Sequence, residues 1–230
     1  MPLIVLGAVT LVLVVILTLV IRATAAPSRA SRRREQAEAR GWAYTRSSAT
    51  WPTPYFAEEV ARGGDGFAQA TGIVRGPLGE TTFTAFTAIP RNQAERAAGV
   101  VILHLHARLP RFCAAQDGPG QDRYSAWGGP DLPTGWPEFD RLYRVRADDP
   151  VYARQLLSPE LMAWLAAPER RARTFTIVGN ELLTWHEGHL HIDEVSDWLI
   201  ELAGFAQRIP TEVWRVYGQL VTPEPAVVRR

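Results

Sequence analysis

From Leu3 to Ile21 the chain reads LIVLGAVTLVLVVILTLVI, 19 residues without a charge, an Asn, a Gln or a Pro. A helix resting on a globular core needs one wet face, and this run is apolar all round. As a helix it spans about 28 Å, close to the ~30 Å hydrocarbon layer of a bilayer. Such a helix satisfies its own backbone, as a membrane interior requires. The stretch predicts a single transmembrane helix over residues 3–21. A cleavable signal peptide is the competing reading, with Ala23-Thr24-Ala25-Ala26 as its small-residue cleavage region. Against it, no basic residue precedes the run, and the apolar stretch is longer than a signal core.

Beyond the run, shorter periodic segments alternate with punctuation. Ala30 to Arg40 holds helix formers without an apolar face, which predicts a solvated linker helix or a disordered stalk ended by Gly41. Trp42 and Tyr44, on one face, mark a first strand. Trp51 to Phe56 reads as an aromatic turn, followed by a short helix through Val60 that breaks at Arg62–Gly66. Phe67–Val74 and Thr81–Ile89 read as a hairpin turned by Gly76-Pro77 and Gly79. Val100–Leu105 predicts an interior strand, and Glu138–Arg146 a segment ending as a strand.

Between them, Gln116–Pro137 is a long Gly- and Pro-rich loop holding Tyr124, Trp127 and Trp136, read as a cover over the core edge. Asp149-Pro150 and Ser158-Pro159 each place a cap before a proline and so predict two short helices. Leu157, Leu161 and Leu165 form their core stripe. Arg173–Val178 and Glu181–Trp185 read as a second hairpin about Gly179-Asn180. A last helix from Asp193 has an apolar face of Val195, Trp198, Leu199 and Leu202, and an acidic, solvated face of Glu194, Asp197 and Glu201. Trp214 and Tyr217 are expected to pack back, and residues 221–230 to form a disordered tail.

Charge gives the predicted span a direction. Net charge is +1 over 230 residues, but it is unevenly placed. Residues 22–46 carry seven Arg against Glu35 and Glu38, about +5, and the remainder is about −4. Basic residues flanking a span stay cytoplasmic, so the N-terminus is expected outside and the C-terminal domain inside, at the plasma membrane. Arg29, Arg32, Arg33 and Arg34 are then placed to meet anionic lipid headgroups. No basic stripe continues into the domain, so nucleic acid is not expected as a partner. All 25 basic residues are Arg, a bias of GC-rich coding more than of chemistry. Cys113 is the only cysteine, which rules out an internal disulfide and a CxxC metal knuckle.

One set of motifs carries a resemblance. Phe139, Tyr143-Arg-Val145, Asp148, Ala153-Arg154-Gln-Leu-Leu157-Ser-Pro159, the pair Phe175-Thr-Ile177 and Leu182-Leu183, and an Arg40-Gly41-Trp42 entry resemble a widespread group of bacterial domains tethered by one membrane span. The resemblance is clearest over residues 139–185. It implies a fold and assigns no activity, because the shared motifs are caps, core strands and turns.

Candidate chemistry is sparse. His186, His189 and His191, with His104 and His106 at the same i, i+2 spacing, could supply zinc ligands and make a His-dependent metal enzyme the alternative function. The segment is not HExxH, since Gly188 interrupts it and His189 comes one position early. Ser125 lacks the glycines of a nucleophile elbow. Cys113 is read as a buried apolar residue, and Asp148 and Asp149 as a helix start. No catalytic, cofactor-binding or metal-ligating residue is therefore assigned.

The whole predicts a transmembrane helix over 3–21, a basic juxtamembrane linker over 22–40, and one α+β domain over 41–220. That domain is expected to hold a mostly antiparallel sheet with helices packed on one face. The functional expectation is a non-enzymatic binding or scaffold module on the cytoplasmic side of the membrane, or an extracytoplasmic domain if the N-terminal segment is cleaved.

Overall fold

The computed structural model describes residues 29–48, 50–51, 53, 67–90, 97–116, 131–170 and 174–221. The predicted span at 3–21, the helix through Val60, Tyr124, Ser125, Trp127 and the tail from Thr222 lie outside the described residues. Among the described residues no helix is long and apolar enough to cross a membrane.

The elements are α1 (Arg29–Glu38), β1 (Ala43–Ser48), β2 (Phe67–Leu78), β3 (Thr81–Pro90), β4 (Ala98–Gln116), α2 (Pro137–Leu142), β5 (Tyr143–Ala147), α3 (Pro150–Leu156), α4 (Pro159–Leu165), β6 (Thr174–Glu187), α5 (Ile192–Gln207), α6 (Thr211–Tyr217) and β7 (Gln219–Leu220). Every described strand pair is antiparallel, as the α+β reading expects. The order is β1-β2-β3-β4-β5, and β6 and β7 also pair with β4. The 19-residue β4 is the axis of the sheet. One of its edges meets β3 over Ala98–Leu103 and β5 over Phe112–Gln116, and β6 lies along the other.

Side chains alternate across a strand, and here the alternation separates two apolar layers. Phe83, Val101, Leu103, Phe112, Ile177 and Leu182 point into the larger core, where they meet Phe139, Tyr152, Leu161, Leu165, Leu199, Leu202 and Phe205 from the helices. Phe86, Val100, Ile102, Leu183 and Trp185 point to the other face, where Trp51 packs against them. The helices of the large layer start where their caps dictate. Asp149 accepts hydrogen bonds from the N–H groups of Val151 and Tyr152, and Ser158 accepts one from Leu161, each ahead of a proline in the first turn. Leu157, Leu161 and Leu165 are all buried, and Trp214 and Tyr217 pack against the same layer.

Several elements differ from the sequence reading. Residues 174–187 form no hairpin but one continuous strand, because a 19-residue partner lies alongside to pair with its whole length. Glu138–Leu142 belong to a helix, and the strand begins only at Tyr143. Gly76 and Pro77 lie inside β2, paired with Phe83 and Thr82, so the β2–β3 turn is Gly79-Glu80. Glu201 is not on a solvated face: it is 8 % exposed, and Arg170 donates to it at 3.2 Å while lying over the Trp164 ring.

The basic segment takes the helical form of its two expected states, and it is docked. Ala37 is fully buried in the large core layer, and the Trp42 N–H closes the helix end by donating to the Ala37 carbonyl at 2.9 Å. Arg34 pairs with Glu38 at 2.7 Å. Arg33 lies over Gly72 of β2, and Arg32 is exposed.

Candidate functional site

A cleft opens where β4 parts from β6. The register runs from His104 opposite Glu181 to Leu109 opposite Gly179, and then to Phe112 opposite Ile177. Residues 105–108 thus face Asn180 alone, so β4 arches outward. Two residues make this arch possible. Pro110 has no N–H to give to a ladder. Gly179 sits at φ 61°, a left-handed conformation that glycine adopts without penalty. The short β7 restores part of the lost pairing, with Ala107 opposite Leu220 and Arg108 opposite Gln219.

The resulting cavity has a volume of about 500 Å³. Arg108, Arg111 and Asp148 line it with Val178, Tyr217 and Gln219. Three positions apart on a regular strand, Arg108 and Arg111 would lie on opposite faces; the arch brings both to one cleft. Arg111 Nη1 is 3.9 Å from Asp148 Oδ1, with side-chain exposures of 21 % and 58 %. The same residues are tied by the backbone, since Asp148 N–H donates to the Arg111 carbonyl at 3.3 Å. On the inner side, Tyr217 packs edge-on against Tyr152, with ring centroids 5.1 Å apart. Tyr152 is fully buried, its hydroxyl has no partner among the described residues, and burial pushes its phenol far above the ordinary value. The lining thus brings two arginines, one aspartate and a tyrosine ring to one cleft.

A smaller cleft of about 230 Å³ lies between residues 132–134, β5 and α3. Its walls are largely apolar, from Leu132, Val145, Ala153 and Leu157, with Arg154 among them. Thr134 there is committed, donating through its hydroxyl to Asp140 at 2.7 Å.

The five histidines are scattered. His186 lies flat on Trp198, with ring centroids 5.1 Å apart and an interplanar angle of 8°. Its Nδ1 donates to the Glu187 carbonyl at 2.9 Å, since a carbonyl only accepts. His189 and His191 are exposed, and His191 caps α5 through its backbone position alone. His104 is bonded to Thr84 at 3.0 Å, and His106 packs at a tilt of 39° against the Trp214 ring, with centroids 4.2 Å apart. Among the described residues no group of three or more His, Cys, Asp or Glu could hold a metal ion, so the zinc reading gains no ligand set. Cys113 is buried, as expected, with the Thr176 hydroxyl 3.5 Å from its sulfur. His104 stands nine positions away on the same strand, so the two form no catalytic pair.

Arg108 and Arg111 were not singled out by the sequence reading. The available signal was Pro110 inside an apolar strand pattern, which demotes a regular strand to a bulge or edge.

No family model matches this chain, and neither does any curated protein sequence. The fold nevertheless belongs to a class already seen in a solved structure, an α+β domain of this architecture. That structure is the crystal structure of the mycobacterial trehalose monomycolate transport factor A, TtfA, with a TM-score of 0.55 and 16 % identity over 83 % of this chain and 97 % of that chain. At this identity the likeness is one of fold.

Proposed function

We propose that this chain is a non-enzymatic binding module anchored by a single transmembrane helix over residues 3–21, with its α+β domain on the cytoplasmic side. The observation that carries the reading is the placement of a docked basic helix directly after the apolar run. Only residues 22–28 separate the two, a reach of at most about 25 Å. With Ala37 buried in the core, α1 is part of the domain, so the anchor holds the folded body against the bilayer. Arg29 and Arg32, ahead of the docked part of α1, meet anionic headgroups; Arg33 and Arg34 contribute less, since one lies over Gly72 and the other pairs with Glu38. The cleft at Arg108 and Arg111 is the ligand site of the module. TtfA is a transport factor, and a transport-associated binding role here accords with that shared fold.

The reading is tested by extracting native membranes with alkaline carbonate. The full chain is expected in the pellet at its full intact mass, and a variant lacking residues 3–21 in the supernatant. Release of the full chain by carbonate, or a mature mass cut near Ala25 or Ala26, would overturn the anchor.

A further inference from the structure

The binding-module reading leaves the ligand of the β4–β6 cleft open, and the inference here rests on that reading. We infer that the cleft binds a phosphate group, carried by a small phosphorylated solute or by a lipid headgroup. Three observations lead there. First, the arch about Pro110 places Arg108 and Arg111 in one cavity, against the alternation of a regular strand. A single planar guanidinium satisfies a carboxylate in a bidentate pair; two guanidinium groups on one cavity wall suit an oxyanion with three or more acceptor oxygens.

Second, Arg111 has a carboxylate beside it at 3.9 Å, well beyond the ~2.8 Å of a charge-assisted hydrogen bond. Asp148 is 58 % exposed, and so exposed an ion pair is weak. A phosphate monoester, with a charge of about −1.5 to −2 at neutral pH, competes with this distant carboxylate for the Arg111 guanidinium, and a phosphodiester does so with about −1. Asp148 is thus a replaceable counter-ion beside Arg111. Third, the cavity of about 500 Å³ exceeds what a bare phosphate fills and lies within the ~300–1,000 Å³ of small-molecule sites. Val178 and the Tyr217 ring supply apolar wall for the remainder of the ligand.

The test uses the full chain in neutral-detergent micelles and titrates inorganic phosphate by calorimetry. A second arm adds phosphatidylglycerol to the micelles, with phosphatidylcholine as control. Wild type is expected to bind at least one of the two anions. Arg108→Gln and Arg111→Gln should each weaken binding about tenfold or more, the loss expected for a hydrogen bond to a charged group. Arg154→Gln, in the other cleft, should leave it unchanged. Asp148→Asn removes the competing carboxylate without touching a guanidinium and should tighten binding, which keeps the test decisive if an Arg variant fails to fold. Binding of phosphate alone assigns a soluble ligand, and binding of phosphatidylglycerol alone assigns a headgroup. Failure of both anions to bind, or equal binding by wild type, both Arg variants and Asp148→Asn, overturns the inference. If the chain still pellets with carbonate-washed membranes, the membrane-anchor part of the proposed function survives that failure.

Discussion

Arg40 Nη2 donates to Asp193 Oδ1 at 2.8 Å and so ties the end of the basic helix α1 to the first turn of α5. Both side chains keep contact with solvent, at 36 % and 65 % exposure, and such a pair contributes at most about 1 kcal/mol. The docking of α1 therefore rests on burial of Ala37, which is 0 % exposed. Ala37→Glu should cost about 1–3 kcal/mol through overpacking and an unpaired buried charge. Ala39→Glu, on the exposed side of the same turn, should stay within about 0.5 kcal/mol of wild type. Urea unfolding of the two variants measures the difference; equal stabilities would mean that α1 is not part of the folded body.

A second prediction concerns the packing under His186. A Cβ on Gly99 would overlap the His186 ring at Nε2. The ring cannot give way easily, held as it is by the Trp198 stack and the Glu187 carbonyl. Gly99→Ala should therefore destabilise the domain by about 1–3 kcal/mol. Combined with His186→Ala the cost should be smaller than the sum of the two single changes, because the clash disappears with the ring. Strict additivity in thermal melts would contradict the contact.

The pH dependence follows from His104. Burial, and then the positive charge of Arg75, hold its imidazole below the ordinary 6.5. Below that pH the unfolded chain binds a proton that the folded chain resists, so stability falls as pH drops from about 6.5 toward the folded value and is unaffected at higher pH. His104→Gln should remove this part of the acid-side loss while leaving the remaining slope. Denaturant midpoints at several pH values between 5 and 8 in wild type and variant check it. Parallel curves in wild type and His104→Gln would contradict the assignment.

Much of the fold was legible because its signals are local. The caps at Asp149 and Ser158, the β2–β3 pairing and the Leu157–Leu161–Leu165 stripe depend on neighbours within a few positions, and the structure holds all of them. What misled were residues whose role is set from far along the chain. Gly179-Asn180 carries the local chemistry of a turn, yet β4 draws both flanks of it into one strand. Glu201 falls on the polar side of α5, yet its partner Arg170 stands 31 positions earlier and draws the carboxylate inside. Arg108 and Arg111 fall on opposite faces by the strand period, and only the arch at Pro110 gathers them into the cleft. Local pattern thus reached the elements, while the candidate site, made by a departure from pattern, did not show in it.

As proposed, a membrane anchor holds the α+β domain on the cytoplasmic side. Protease accessibility of a C-terminal tag on the full chain tests it most directly. The tag should be digested in inside-out vesicles and protected in intact spheroplasts. Protection in the vesicles with digestion in the spheroplasts would place the domain on the other side of the membrane and contradict the account.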